Sequence, residues 1–391
     1  MRAGIAGMPM KHAILIALMC ITCVSAVDAT IVGEEWSPVT GNASWSPRYD
    51  HTALVFNNEL WVLGGSGGND VWKSADGRTW SKVTDSAGWL PRIGHASVVF
   101  DNRMWVLGGG SGSLNNDVWY STDGVTWTEA TKNAGWSPRS GHASFVYEGK
   151  IWVLGGGSGS LNNDVWYSTD GVTWTEATKN AGWSPRLGHA SFVYEGKIWV
   201  LGGGSESGVK NDVWYSTDGG SWTPVTETAE WTCRSGHQSA VFGGRMWVLG
   251  GYIGLRSRSG RQEVAANDIW YSYDGKIWYP ATMEADWSPR YGHMAVVFHD
   301  RMWVLGGNEP GGPEGAIFDL GPGEYVYSRL PDIIDNDVWK SDSVIKSPTT
   351  TSVTSKPPTG KPTQSSSTPV IIVCSTLFLC IFLDYRKRNI R

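Results

Sequence analysis

The 391-residue sequence predicts an all-β fold: a six-bladed β-propeller of four-stranded antiparallel blades, its ring closed by an N-terminal outer strand in the last blade. Three observations predict it. The stretch from Trp105 to Arg139 recurs letter for letter from Trp152 to Arg186, and looser versions begin near Trp45, Trp89, Trp231 and Trp287, which makes six units. Every unit carries four short runs rich in Val, Trp, Phe, Tyr and Thr, punctuated by Gly, Asn and Asp, with no helical period. The chain has 24 Trp, the number that four per unit across six units requires.

The third unit shows the strands in order. Residues 141–149 (GHASFVYEG) predict strand one, 150–156 (KIWVLGG) strand two, 163–171 (NDVWYSTDG) strand three running into a turn, and 172–178 (VTWTEAT) strand four. Asp170-Gly171 supplies the positive-φ residues of a tight hairpin. The unbroken apolar run Trp152-Val153-Leu154 suits a strand covered on both faces. A four-stranded sheet of this size has no second layer of its own, and stacking such sheets radially covers both faces, which is the propeller arrangement.

The Trp count also predicts how the ring closes. Between Trp45 and Trp339 lie 23 of the 24, and the remaining one, Trp36, stands in EEWSPVTGNASW, a near match to the fourth-strand stretch RTWSKVTDSAGW at 78–89. The sixth unit ends at NDVWKSDSV, with Ser343 in place of the turn Gly and no fourth strand after it. Residues 34–40 are therefore expected as the outermost strand of the last blade, pairing the two ends of the chain and removing an exposed sheet edge.

These units resemble kelch repeats. That pattern places Gly-Gly at the end of strand two, and here the pairs are Gly64-Gly65, Gly108-Gly109, Gly155-Gly156, Gly202-Gly203, Gly250-Gly251 and Gly306-Gly307. Each third strand has a Trp where the family usually has Tyr, and Trp80, Trp127, Trp174, Trp222 and Trp278 are the fourth-strand Trp. The resemblance spans residues 34 to 342 and implies the propeller; it does not imply a chemistry, because the fold hosts many.

The flanks have other compositions. Residues 1–29 begin with Arg2 and Lys11, continue through an apolar run from Ala13 to Val24 and reach small residues at Ser25-Ala26 and Asp28-Ala29, the pattern of a secretory signal. The propeller is expected over 30–343. Residues 344–369 predict an extended stalk, since 18 of the 23 residues from Ser347 to Pro369 are Ser, Thr or Pro. Residues 370–383 (VIIVCSTLFLCIFL) predict a C-terminal hydrophobic anchor, short against the roughly 20 residues of a span. The basic tail 384–391, with Arg386, Lys387 and Arg388, would lie inside. A second reading of this end is a cell-wall sorting signal, since Lys356-Pro357-Pro358-Thr359-Gly360 resembles the LPxTG motif with Lys in place of Leu. Four of the five Cys lie in the two apolar segments, which leaves Cys233 alone in the body, so no internal disulfide is expected. A net charge of −5 gives no electrostatic case for nucleic acid.

Repetition argues against a catalytic centre. His51, His95, His142, His189, His237 and His293 occupy one repeat position, and Arg48, Arg92, Arg139, Arg186, Arg234 and Arg290 another. Residues present in every blade form rings of equivalent scaffold sites, whereas catalysis needs an asymmetric cluster; the Arg are expected to hydrogen-bond blade to blade. Two enzyme classes occur on this fold. A galactose-oxidase-like copper centre needs a Cys–Tyr crosslink and two His, yet Cys233 has only the distant His299 as a non-repeat partner. The sialidase Asp-box SxDxGxTW resembles STDGVTW, which is one residue short. The Asn-Asn-Asp loops (115–117 and 162–164) are better explained by turn formation than by Ca²⁺. No metal or cofactor is expected.

Variation is concentrated on the face where the loops between strands two and three, and those between blades, both open. The variable residue of SPRxGH is Tyr49, Ile93, Ser140, Leu187, Ser235 and Tyr291 in turn. The two-to-three loop lengthens in unit five, with Tyr252, Arg256, Arg258 and Arg261, and again in unit six, with Phe318, Tyr325, Tyr327 and Arg329. Long irregular loops rich in aromatic residues and Arg favour recognition. Tyr49, Tyr252, Tyr291 and those seven residues are the candidate binding residues. The predicted function is an exported, membrane-anchored, monomeric propeller that binds a surface protein or a glycan, with a glycan-active or oxidative propeller enzyme as the alternative.

Overall fold

The structure is a computed structural model describing residues 33–342, except 254, 258, 259, 263, 311, 312, 320–324, 330 and 331; side chains are not described for 254–263 and 311–331. The signal, stalk, anchor and tail segments expected from sequence lie outside the described residues.

Six four-stranded antiparallel sheets form the ring. In blade one the strands run Thr52–Phe56, Glu59–Gly65, Gly68–Ser74 and Ser81–Thr84, paired in that order. The first strand of each blade is terminal in its sheet and packs against the first strands of both neighbouring blades, so these six strands line the axis. Apolar clusters fill the spaces between blades: one joins Leu60 and Val62 of blade one to Leu305 and Val338 of blade six, all fully buried. No helix is present among the described residues.

Blade six consists of Met294–Phe298, Arg301–Glu309, Ile333–Ser341 and, from the other end of the chain, Trp36–Thr40. Trp36 aligns with Ser341, Ser37 with Lys340 and Pro38 with Trp339. The expected closure is thus present. The turn glycine missing at Ser343 is supplied from the N-terminal side by Gly33 (φ 88°), whose carbonyl accepts the Trp36 indole N–H at 3.1 Å, as Gly77 does for Trp80 at 2.9 Å. A side chain on Gly33 would strike the Trp247 ring of blade five, and one on Gly77 the Trp303 ring of blade six. Each turn glycine thus seats the second-strand Trp of the blade before it, which is why only glycine fits.

The long insertions are not irregular, as sequence length suggested. The blade-five insertion contains a hairpin of Leu255–Ser257 with Gly260–Gln262, and the blade-six insertion one of Pro313–Asp319 with Tyr325–Arg329. Backbone pairing along an insertion satisfies groups that an open loop would leave to solvent.

Candidate functional site

The repeated Arg and His build the frame of the loop face. In each blade the Arg that precedes strand one donates two parallel bonds, 2.5–2.9 Å, to the Asp of Asn-Asp-(Val/Ile)-Trp: Arg48 to Asp70, Arg92 to Asp117, Arg139 to Asp164, Arg186 to Asp212, Arg234 to Asp268 and Arg290 to Asp337. The same guanidinium donates to the first glycine carbonyl of its own Gly-Gly pair at 2.7–2.9 Å. Meanwhile its backbone belongs to the blade before: Arg92 N–H donates to Gly68 O, and its carbonyl accepts from Gly65 N–H, both 3.1 Å. Backbone in one blade and side chain in the next is the blade-to-blade role expected of this ring. Asn116 and Asn163, from the loops weighed for Ca²⁺, donate instead to carbonyls of the next linking loop, Ala134 and Trp136, and Ala181 and Trp183.

Each His sits between two glycine pairs. A Cβ on Gly109 would lie 2.6 Å from His95 Cβ in its own blade, and one on Gly64 would lie 3.1 Å from His95 Cε1 across the blade boundary. Burial, followed by the charge of the neighbouring Arg, pushes His95, His142, His189 and His293 down to about 3, and His51 and His237 well below their ordinary value. Carbonyls of the preceding blade at Leu63, Leu107 and Leu249 partly counter this for His95, His142 and His293. These imidazoles are neutral packing elements.

At the centre of the face the residue before each His closes a ring. Gly94 N–H donates to Asp50 O, Gly141 to Gly94, Gly188 to Gly141, Gly236 to Gly188, Gly292 to Gly236 and Asp50 to Gly292, all at 2.8–3.0 Å. All six have positive φ, 60–62° for the glycines and 49° for Asp50. A side chain on Gly94, Gly141, Gly188 or Gly292 would press on the next blade, and the positive φ at all five favours glycine; blade one carries Asp instead. Sequence reading concentrated on the variable residue one position earlier and missed Asp50, although YDH against five copies of xGH marks it. Its carboxyl lies against Gly292 and borders an axial cavity of about 300 Å³ that is lined by this ring and the first residues of the six inner strands. Burial pushes it up to about 6.

Among the candidate residues, two tyrosines are brought into contact, and a third, Tyr49, stands at the equivalent ring position of the next blade. Tyr252 of blade five and Tyr291 of blade six meet edge to face, with centroids 5.9 Å apart, and Asn308 Nδ2 donates to Tyr291 Oη at 2.6 Å. Tyr49 of blade one precedes Asp50, and Tyr291 precedes Gly292, its hydrogen-bonded neighbour. Arg256 and Arg261 are register partners in the blade-five hairpin, whereas Arg258 lies outside the described residues. In the blade-six hairpin Phe318 pairs with Val326, Asp319 with Tyr325, Ile317 with Tyr327 and Pro313 with Arg329; side chains in both hairpins lie outside the description.

A second departure missed in sequence reading sits beside Tyr291. Arg290 carries, besides Asp337, the carboxylates of Glu309 at 3.6 Å and Asp335 at 3.5 Å. Burial and the Asp335 carboxylate push Glu309 up to about 7, and burial also raises Asp335. In the other blades the Arg pairs with one carboxylate.

Comparisons with known proteins fit this geometry. A family model, the KLHDC2/KLHL20/DRC7 Kelch-repeats domain, matches residues 29–183 and 69–251, together more than half of the chain. No curated protein matches. Among solved structures, one titled "Structure of YjhT" is similar with a TM-score of 0.60 and 17% identity, covering 76% of this chain and 100% of that one. At that identity the likeness is one of fold.

Proposed function

This chain belongs to the kelch-repeat family, and from that premise we propose that it is an exported binding module, anchored at the cell surface, that engages a protein or glycan partner through its loop face. The kelch propeller fold suggests a protein-binding module. The observation that carries the finer reading is the Tyr252–Tyr291 pair, braced by Asn308 and flanked by the inserted hairpins of blades five and six. Half-buried aromatic side chains held rigidly at the face supply contact area at low entropic cost. The repeated His and Arg are consumed by the scaffold, which favours binding over catalysis.

Export and anchoring rest on the sequence of residues 1–29 and 370–388. Among the described residues no helix is long and apolar enough to cross a membrane, so the anchor in this reading is the apolar segment 370–383. A surface-protein and glycan binding screen with residues 30–346 tests the reading. Replacing 309–334 by a short Gly-Ser loop should abolish the binding found while the fold persists; unaltered binding would move the site elsewhere. Turnover in a glycosidase assay, or copper bound stoichiometrically, would defeat the non-enzymatic reading.

A further inference from the structure

The central ring is a glycine position in five blades and an aspartate in the first, and the aspartate's carboxyl is unlike every other acid around it. Asp70, Asp117, Asp164, Asp212, Asp268 and Asp337 each hold an arginine. Asp76, Asp123, Asp170, Asp218 and Asp274 each accept backbone amides at their turns. Asp50 has neither: among the described residues its carboxylate has no hydrogen-bond donor and no ion-pair partner, although it borders the axial cavity. Arg48, two residues before it, and Arg290, two residues before its hydrogen-bonded neighbour Gly292, are both engaged with other carboxylates. Its backbone also lies in the left-handed region at φ 49°, which glycine enters most readily and Asp more readily than most other side chains. An acid kept unpaired, partly desolvated and in a conformation better suited to glycine points to a ligand of opposite charge.

The lining defines the ligand further. Three hydroxyls, Ser97, Ser144 and Ser191, are buried there without a hydrogen-bond partner, with Thr52 and Gln238 among the other polar side chains. The six inner strands are sheet edges, so their outward backbone carbonyls face the same space. Acceptors are therefore plentiful and negative charge is single. A divalent metal would call for more carboxylates. A quaternary ammonium would call for an aromatic cage, and among the described residues the rings in the lining are those of the histidines. A compact head with one positive charge and three N–H donors fits both features. The cavity volume of about 300 Å³ lies at the lower end of small-ligand sites, roughly 300–1,000 Å³.

We infer that the axial cavity binds a primary ammonium group, with Asp50 as its counter-charge and the serine hydroxyls and strand-edge carbonyls as its acceptors. The site is independent of the tyrosine face proposed above. The test is calorimetric titration of the full-length protein at pH 8, where the carboxyl is ionised and alkylamines are protonated, with n-butylamine, with a short peptide bearing one exposed lysine, and with tetramethylammonium. Asp50→Asn and Asp50→Gly are the variants; the first keeps a side chain that tolerates positive φ, and the second restores the residue of the other five blades. Saturable binding of butylamine or of the lysine peptide, weakened at least tenfold in both variants and undetectable for tetramethylammonium, is expected. Butylamine binding assigns a free small amine; peptide binding alone assigns a lysine inserted by a partner. Absence of saturable binding by either probe, or equal binding in the variants, overturns the inference. Tyr252→Ala should leave the titration unchanged whatever becomes of partner binding.

Discussion

Trp36, from the first strand of the chain, packs edge-on against Trp287 at the start of blade six, with ring centroids 6.1 Å apart and planes at 84°. The same contact joins Trp45 to Trp80 at 5.9 Å and Trp89 to Trp127 at 5.9 Å, so the N-terminal strand reproduces within blade six what covalent continuity provides elsewhere. Trp36 is 4% exposed, and its truncation would open a cavity at the one seam where the ring is closed by non-covalent pairing. Trp36→Ala is expected to lower unfolding stability by about 3–5 kcal/mol, and deletion of residues 30–44 by more. Denaturant titration measures the first and thermal melting the second; an unchanged midpoint in the truncated protein would show that the ring holds without its seam.

That seam was legible in the sequence because it obeys the repeat: four Trp per blade left one unplaced, and its neighbours matched a fourth strand. Gly33 was harder to see, since the expected turn glycine lay at the other end of the chain, beyond Asp342. Asp50 was visible as a letter but not as a position. Only the ring of backbone hydrogen bonds shows that this residue sits on the axis, where one substitution among six alters the centre of the molecule. The Tyr252–Tyr291 contact was hidden for another reason. It crosses a blade boundary between residues 39 positions apart, and no local pattern encodes which loop residues meet across that boundary.

Acid should unfold this domain more steeply than its carboxylates alone would dictate. The six ring histidines are buried neutral, with four at about 3 and two lower still, whereas in the unfolded chain they titrate near 6.5. Below about 6.5 the unfolded chain binds protons that the folded chain refuses, so stability falls with falling pH by up to about 1.4 kcal/mol per pH unit for each histidine. Asp76, Asp123 and Asp218, held low by the backbone amides of Thr79, Thr126 and Ser221, extend the loss below pH 4. Asp50 works in the opposite sense between its ordinary value and about 6, one group against six. Guanidinium titrations from pH 7 to 5 should show a proton uptake on unfolding well above one. His189→Gln, which cannot titrate, should lower that uptake by close to one proton.

Asp50 should be a residue that the fold would be more stable without. Its carboxyl is raised to about 6 from 3.8, so ionisation disfavours the folded state, and that penalty is present in full above pH 6 and absent below about pH 4. Asp50→Asn is expected to raise stability by about 1–2 kcal/mol at pH 8 and to be neutral at pH 4. Asp50→Gly removes the left-handed strain as well and should be at least as stable at both pH values. Paired urea titrations at the two pH values give the difference directly. A variant less stable than the parent at pH 8 would mean that the carboxylate has a stabilising partner in solution.

For the tyrosine face, the geometry makes a prediction about coupling as well as about loss. Tyr252 and Tyr291 share an edge-to-face contact, and Asn308 fixes the Tyr291 ring through its hydroxyl. Each ring therefore orients the other. Once a partner is in hand, Tyr252→Ala and Tyr291→Ala should each weaken binding by about 2 kcal/mol or more. The double variant should lose less than the sum, by about 0.5–1.5 kcal/mol, because the second removal acts on a ring already freed. Tyr291→Phe keeps the ring contact and loses the bond from Asn308, so a drop of about 1 kcal/mol is expected from loosened orientation. Ile93→Ala, at the equivalent ring position in blade two, is the control and should leave affinity within about twofold. Strict additivity of the two tyrosines would mean that they contact the partner separately, and equal losses at Ile93 would spread the site around the whole ring rather than over blades five, six and one.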